Sequence, residues 1–507
     1  MSMRQRLEAN GERIVRAIGF AFSVVIAVRA VLALKNAWAF TTDDAYITLR
    51  YARHLADGRG LVFNVGGERV EGYSNFGLVA LAALALKLQL NAETLLKLCG
   101  AAAFLGSLVL TQRLARRHLG PLLSLLPALI LTEYFGSAWW AVSGLETLLA
   151  QCLLTAGLYC VDGLWAGEPS AASKARSVSL AAAGIGLPLL RPEGSVYTAL
   201  LCACALGALL KLERKAELDA GAKRRMLIAI GSVALFGVAY HAFRIFYFGS
   251  ALPNTVLCKM DHQGDPLELQ RELWFNWSPL LLLAAIALIR TRALAHAFLL
   301  FPLLASACLF VGADPIIGYH CRHFLPALPG LAIVGTLGAR EFAHFLFPSP
   351  AIGCAATATL TMLLTPHVRL PMLQGEAQAY ASRQALRGRL AAFIEKELPP
   401  RARVVFGDCG LVPYRSTRHF IDAYCLNSRE MTSEEIQRSP EKFADYVLTT
   451  RPEAIIVHSQ SDRELVPQPY LGVWPAIVSD PRFASGYHLS AKFVNDEVAC
   501  YWVFERN

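Results

Sequence analysis

The stretch "IVRAIGFAFSVVIAVRAVLALKNAWAFTTDDAYITLRYARHLADGRG", residues 14–60, joins a long apolar run to a polar segment that opens with two adjacent carboxylates. Residues 14–34 are long enough for a bilayer-crossing helix, since about 20 apolar residues cover the hydrocarbon core. The basic residues before them favour a cytoplasmic N-terminus. Asp43 and Asp44 are therefore predicted to emerge on the outer side. A cleaved signal peptide, the alternative interpretation of the apolar run, would leave both carboxylates on that same side.

The composition is that of a membrane protein. Of the 507 residues, 55% are hydrophobic and only 17% are charged, and the mean hydropathy is +0.40. A chain with this balance and with repeated apolar runs is predicted to cross a bilayer several times. The formal net charge of +9 comes largely from short Lys and Arg clusters between those runs. Such clusters set membrane orientation, and we therefore expect no nucleic-acid partner.

Two neighbouring apolar segments, 73–90 and 95–114, cannot both span the membrane. The second leads into "RLARRH" (113–118), and two consecutive spans would place that cluster outside, against the positive-inside rule. We predict that 73–90 is instead a helix in the outer interface, because it is short and polar at its end. The chain then has about eleven spans, at 14–34, 95–114, 121–139, 145–163, 178–190, 195–211, 226–247, 277–290, 294–312, 324–339 and 345–367.

This topology predicts a polytopic α-helical membrane protein with a C-terminal soluble α/β domain. Residues 1–13 form a cytoplasmic tail, 14–367 the transmembrane domain, and 368–507 a domain outside the cytoplasm. In the last domain, residues 383–398 have a helical pattern. Short apolar runs predict two buried strands and a closing hairpin. These runs are "ARVVFGD" (402–408), "PEAIIVHS" (452–459), "GYHLSAKF" (486–493) and "VACYWVF" (498–504).

The C-terminal domain carries no catalytic motif that its sequence reveals. It has no GxGxxG, no P-loop and no Ser-centred elbow, so we expect it to position substrate. Asp408 and Asp422, each near a strand end, are the acids that would change this interpretation. Five of the twelve cysteines lie outside the apolar runs and can pair in an oxidising compartment, but the sequence names no partners; they are Cys258, Cys321, Cys409, Cys425 and Cys500.

The acidic pair opens what the spacing predicts to be a short helix. Asp43, Ile47, Arg50 and His54 follow helical spacing and form one stripe. A carboxylate and a guanidinium on one face can hold an acceptor hydroxyl and an anionic leaving group. The alternative is structural: acids in a first turn stabilise the helix dipole, with Thr42 as the N-cap.

Further polar residues fall in loops that the topology places outside. They are Glu146 in "SGLET", Arg191 and Glu193 in "RPEG", Lys259 in "LPNTVLCK", and His320, Arg322 and His323 in "GYHCRHFLPALP". Each also has a structural interpretation, as a helix cap, a local ion pair or a side chain that reaches toward lipid headgroups. Together, outward acids and cations at membrane level suit transfer from a lipid phosphate. We predict Asp43 and Asp44 as catalytic, and Arg50 with these seven residues as substrate-binding.

The same residues lie in blocks that resemble the GT-C superfamily of polyprenyl-phosphate-sugar-dependent glycosyltransferases. The likeness runs from about residue 40 to about residue 430 and is strongest to the mycobacterial terminal β-(1→2)-arabinofuranosyltransferase group. The blocks are "DDAYITLRYARHLADGRGLVFNVGGERVEGYSNF" (43–76), "SGLET", "RPEG", "LPNTVLCK", "RHFLPALP" (322–329) and "VVFGDCGLVPYRSTRHFIDAYCLN" (404–427).

The resemblance implies a GT-C-like fold and a polyprenyl-phosphate sugar donor. It suggests arabinofuranose as the sugar, but the sequence itself does not identify the sugar, and a hexose carried on polyprenyl phosphate is the alternative. The resemblance also implies a glycan or other cell-envelope acceptor, and a bacterial inner membrane with the active site on the periplasmic side. Asp43 and Asp44 match the catalytic acidic motif, and Glu146 matches a second acidic loop residue. We expect no cofactor beyond the lipid-linked co-substrate, and no metal, since the acidic pair has no third acid nearby.

Several alternatives stay open at this level. The segment "VGADPIIGYHCRH" departs from the more glycine-rich block expected there, so the phosphate ligand is Arg322, Lys259 or Arg50. An oligosaccharyl or protein O-glycosyltransferase would share the architecture and take a polypeptide acceptor. A transporter or flippase is favoured less, because transport sites usually lie near the midplane on broken helices. The sequence does not distinguish inversion from retention at the sugar carbon.

Overall fold

The computed structural model describes residues 3–168, 173–215, 219–259, 265–291, 294–316, 318–432, 439–496 and 499–507. Most of the described chain is helical, and its described strands form one sheet near the C-terminus. The helices are α1 Met3–Ala37, α2 Asp43–Ala56, α3 Phe76–Lys87, α4 Ala92–Leu123, α5 Leu125–Glu133, α6 Phe135–Ala141, α7 Thr147–Trp165, α8 Lys174–Leu190, α9 Gly194–Arg214, α10 Ala220–Phe248, α11 Asn254–Lys259, α12 Glu268–Thr291, α13 Leu294–Leu309, α14 Leu328–Leu346, α15 Pro350–Leu364, α16 Leu370–Glu397, α17 Leu411–Arg415, α18 Pro440–Thr450, α19 Val473–Ser479 and α20 Pro481–Gly486.

The chain is a multi-pass membrane protein. In the part of the chain that the structure describes, six helices are long and apolar enough to cross a bilayer. They are Arg13–Ala37 within α1, and α4, α7, α9, α10 and α12. The predicted spans 294–312 and 345–367 coincide with the shorter helices α13 and α15, of 16 and 15 residues. The predicted count of about eleven spans therefore stays a prediction.

Two local features bear on the predicted topology. Helix α3 has 12 residues, which is about 18 Å of helix and too short for a hydrocarbon core of roughly 30 Å. Its location in the interface stays a prediction. The segment expected as one span at 121–139 is divided into α5 and α6, because Tyr134 adopts an extended backbone with ψ 120°.

The chain divides into two compact units. The helical unit comprises Met1–Trp38, Lys97–Tyr240 and His262–Gln374. Its helices approach closely at small residues: a Cβ on Gly100, Gly330 or Gly338 would overlap a backbone carbonyl of a neighbouring helix. Small residues at such crossings are typical of membrane helix packing, where close van der Waals contact replaces the hydrophobic driving force.

The mixed unit comprises Ala39–Leu96, His241–Asp261 and Gly375–Asn507. It contains the whole sheet, and it is larger than the domain predicted at 368–507. Its strands are β1 Arg403–Phe406, β2 His419–Asp422, β3 Ala454–His458, β4 Tyr487–Asp496 and β5 Ala499–Arg506, in the spatial order β2-β1-β3-β5-β4.

The sheet matches the sequence prediction except at one edge. Strands β1 and β3 fall inside the predicted buried runs and pair in parallel, and β4 and β5 form the predicted antiparallel hairpin. The additional strand β2 pairs in parallel with β1. Helices α18 and α19 contribute Phe443, Val447 and Trp474 to the apolar core against the sheet. Helix α2 belongs to the same unit and is buried along most of its length.

Candidate active site

Asp43 begins helix α2 inside the mixed unit. The preceding Thr42 has the extended backbone of an N-cap, but its side chain makes no capping hydrogen bond. The backbone N–H of Asp43 instead donates to the hydroxyl of Tyr380 on α16, at 3.0 Å. The first turn of this helix is thus fixed by a residue from more than 300 positions further along the chain.

The Asp43 carboxylate is bound by the loop after strand β1. One oxygen accepts the N–H of Gly410 and the other that of Leu411, both at 3.1 Å. A side chain at position 410 would collide with Asp43, since its Cβ would overlap the Asp43 backbone and carboxylate. The glycine in "DCGL" is therefore explained by the close approach of this carboxylate.

A guanidinium lies beside the same carboxylate. Arg387 Nε on α16 is 3.7 Å from Asp43 Oδ1, and Arg387 Nη2 is 2.8 Å from Asp408 Oδ2. The hydroxyl of Tyr501 on β5 donates to that same Asp408 oxygen. Arg387 thus bridges two carboxylates. The Asp43 side chain keeps 12% of its surface exposed, so the cluster is not sealed.

The two carboxyl groups differ in their titration. Burial raises the pKa of Asp43 to about 6; Arg387 opposes this shift, and Asp408 and Asp44 add to it. Burial by itself would also raise the pKa of Asp408, but Arg387, His458 and Tyr501 lower it below its ordinary value. Asp408 is consequently the fixed anion of the pair, and Asp43 is the group that titrates closer to neutral pH.

Asp44 and Arg50, the other two predicted site residues on α2, differ in their burial. Asp44, the second residue of the helix, is half-buried. Arg50 is buried, and its guanidinium is engaged by oxygens of the same unit, so binding a phosphate would require these bonds to break. The acceptors are the carbonyl oxygens of Phe63, Pro413, Ser416 and Arg418 and the side-chain oxygen of Asn64.

Lys259 ends the short helix α11, which is joined covalently to the C-terminal region. Cys258 forms a disulfide with Cys425, across 167 residues of sequence. The side-chain amide of Asn254 donates to the carbonyl oxygens of Cys425, Leu426 and Ser428. The sequence did not reveal this pairing, because nothing in it distinguishes Cys425 from Cys409 or Cys500 as the partner.

A second polar cluster lies in the helical unit, and it brings together predicted residues from three separate motifs. Glu146 Oε1 accepts from Arg191 Nη1 at 3.1 Å and from Arg322 Nη2 at 3.0 Å. Arg191 also pairs with Glu193 and lies 3.1 Å from His323 Nδ1. All four charged residues are buried. Arg322 further lies 4.9 Å above the ring of Trp140.

His320 lies in the same loop as Arg322 but has aromatic neighbours. Its ring packs on Phe135, with centroids 4.6 Å apart, and beside Trp139 and Tyr319. Burial lowers its pKa to about 4, so the imidazole is neutral at physiological pH. A neutral ring can bind a hydroxyl but supplies no charge for a phosphate.

The sequence pointed to Asp43 and Asp408 but not to the residues that connect them. Arg387 lies in "ALRGRL", which has the pattern of a solvated helix face, and Tyr501 lies in a strand whose aromatic residues suggest only core packing. Within the described ranges, no group of three or more His, Cys, Asp or Glu side chains is arranged to hold a metal ion. The predicted independence from metal stays a prediction.

Comparison with known proteins supports the fold over nearly the whole chain. Residues 376–504 match a family model described as a domain of unknown function (DUF8728). No curated protein sequence matches the chain. ArnT from Cupriavidus metallidurans, solved with undecaprenyl phosphate, superposes with a TM-score of 0.54 at 14% identity, over 96% of this chain and 98% of that one.

Two further solved structures are similar. The Archaeoglobus fulgidus oligosaccharyltransferase AglB, in complex with an inhibitory peptide and a dolichol-phosphate, gives a TM-score of 0.51 at 10% identity, covering 95% of this chain and 74% of that one. The mycobacterial arabinofuranosyltransferase AftD gives 0.47 at 16% identity, covering 95% and 41%, which is too low to support an argument about the sugar. At these identities the likeness establishes the fold, and the predicted GT-C-like fold class is confirmed.

Proposed function

We propose that this protein is a membrane glycosyltransferase that moves a sugar from a polyprenyl-phosphate donor to a cell-envelope acceptor. The observation that carries the proposal is the superposition over 96% of the chain with a structure that contains undecaprenyl phosphate. The AglB structure, with dolichol-phosphate, supports the same donor class. The acidic start of helix α2 supplies carboxylates suited to this chemistry.

In the proposed reaction, the bond between the anomeric carbon and the phosphate oxygen breaks. The lipid phosphate leaves with the electron pair, and the acceptor oxygen bonds to the sugar carbon. The proton of the acceptor hydroxyl passes to a carboxylate of the acidic pair, either Asp43 or Asp44. A positioned base of this kind typically contributes about 10²- to 10⁴-fold in rate.

Cations must hold the lipid phosphate during this step. The Arg50 guanidinium is already engaged by oxygens of its own unit, so we propose Arg322 of the helical unit or Lys259 of the mixed unit as the phosphate ligand. Arg191, Glu193, Glu146, His320 and His323 remain our candidates for binding donor or acceptor. Glu146 orients Arg191 and Arg322 by its buried hydrogen bonds.

For the sugar we propose arabinofuranose, and for the acceptor a glycan; these rest on the quoted sequence motifs. A polypeptide acceptor is the second candidate, because the AglB structure was solved with a peptide. The test is to supply the purified protein in liposomes with a panel of synthetic polyprenyl-phosphoryl sugars, and with glycan or peptide acceptors, in the presence of EDTA. We expect labelled glycan from the arabinofuranosyl donor. No product with any donor would overturn the proposal, and a labelled peptide would favour the second candidate.

We further propose that the acidic helix and the C-terminal domain lie on the periplasmic side of a bacterial inner membrane. The disulfide between Cys258 and Cys425 supports this side, since such bonds persist in oxidising compartments and are rare in the cytosol. We expect denatured protein from cells to react with a maleimide reagent at both positions only after reduction. Cys354, which is free and exposed, should react without it and serves as the control. Labelling of Cys258 and Cys425 without reductant would contradict the assignment.

A further inference from the structure

We propose that Arg387 and Asp408 are positioning residues for Asp43: they orient its carboxylate and set its charge while it acts as the base in transfer. This inference rests on the proposed function and extends it, since it makes part of the C-terminal domain necessary for the chemistry. It replaces the expectation that this domain only positions substrate.

The Asp43 carboxylate is held at both oxygens by adjacent backbone N–H groups of Gly410 and Leu411, which fix its plane. These two residues follow Asp408 closely in the loop after β1, and Arg387 lies within ion-pair distance of both Asp408 and Asp43. One loop and one helix therefore determine where the carboxylate points.

Arg387 Nη1 is buried and donates to no group in the described chain, whereas Nε and Nη2 bind Asp408. A buried donor without a partner destabilises the folded state, and here the guanidinium makes its ion pairs with the two carboxylates through Nε and Nη2. The positive charge of Arg387 lies near both Asp43 and Asp408, so it influences the protonation of both carboxyl groups.

The charged or titratable groups that face Asp43 are Arg387 and Tyr380 on α16, Asp408 in the β1 loop, Tyr501 on β5, and Asp44 and Tyr46 on its own helix. His458 on β3 acts on Asp408. Arg387 favours the ionised form of Asp43, and Asp408 opposes it. Removing Arg387 should consequently raise the pKa of Asp43, and removing Asp408 should lower it.

The sign follows from the role of a base, which must be ionised to act. The transfer rate therefore rises with pH through the pKa of the base. This rise is the acid limb of the pH–rate profile. Asp408→Asn removes a negative charge, so the pKa of Asp43 falls and the limb moves to lower pH. Arg387→Gln removes a positive charge, so the limb moves to higher pH. Charges at this range shift a carboxyl pKa by about 1–3 units, and we expect about 1 unit each way.

The experiment measures transfer from the lipid-linked donor against pH for purified full-length wild type, Asp408→Asn and Arg387→Gln. Glu395→Gln is the matched control, because Glu395 also pairs with a buried arginine, Arg418, in the same unit, without contacting Asp43. We expect opposite shifts in the two test variants and none in the control. If Arg387→Gln does not fold, the isosteric variant Asp408→Asn is sufficient for the test.

A merely structural role for the pair would lower the amount of folded protein and leave the acid limb in place. An unshifted limb in Asp408→Asn, or the same shift in the control, would therefore overturn the inference while transfer by the wild type still stood. Absence of transfer by the wild type would instead overturn the proposed function.

Discussion

Asp43→Asn is expected to slow sugar transfer by about 100-fold or more at unchanged levels of folded protein. The substitution keeps the shape of the side chain but removes the charge that accepts the hydroxyl proton, and positioned acid–base groups contribute about 10²- to 10⁴-fold. The measurement is the rate of labelled product per folded molecule with saturating lipid-linked donor. Asp57→Asn is the matched control, since Asp57 follows the same helix and is exposed.

Asp44→Asn must be made beside it, because the two carboxylates are adjacent. An inactive Asp44 variant with an active Asp43 variant would move the base to Asp44 and contradict the role given to Arg387 and Asp408. If both variants transferred sugar at the wild-type rate, the acids would only stabilise helix α2. In that case the principal residue-level support for a transferase would be lost.

Glu146→Gln is expected to destabilise the helical unit by about 3–5 kcal/mol. Glu146 is the shared partner of Arg191 and Arg322; without it Arg191 keeps Glu193, but one buried positive charge of the cluster is left uncompensated. Thermal unfolding of the detergent-solubilised protein should show a clearly lower midpoint than that of the wild type.

Glu341→Gln gives the control for this second prediction. Glu341 pairs with Arg340 at 3.0 Å, but both side chains are more than a quarter exposed, so its loss should cost at most about 1 kcal/mol. Equal midpoints for the two variants would show that the buried cluster contributes no more than a surface pair. Our account of Glu146 as the residue that orients both arginines would then be wrong.

Much of the fold could be predicted from the sequence because its signals are local. Apolar runs indicate membrane helices, and the runs around Val404, Ile455 and Val503 indicate buried strands. Strand β2 was not predicted because "HFID" has four residues and no clear alternation. The break at Tyr134 was not predicted either, since neither glycine nor proline marks it.

The candidate site could be predicted only in part, for a different reason. Glu146, Arg191 and Arg322 stood out separately, but their hydrogen bonds join positions 45 and 176 residues apart. The spacing of Arg50 suggested a ligand-binding face, whereas its donors reach carbonyl groups more than 360 residues later in the chain. Side-chain partners at such separations depend on tertiary packing, which periodicity does not reveal.

The central claim is that the protein transfers a sugar from a lipid phosphate. The most direct test compares the amount of polyprenyl phosphate released with the amount of sugar bound to glycan. Purified protein in liposomes receives a polyprenyl-phosphoryl arabinofuranose, labelled in both lipid and sugar, and a glycan acceptor. Our account predicts that free polyprenyl phosphate and glycan-bound sugar appear in equal amounts, and that Asp43→Asn suppresses both together. Donor that crosses the bilayer unchanged, with neither product formed, would contradict the account and identify a transporter.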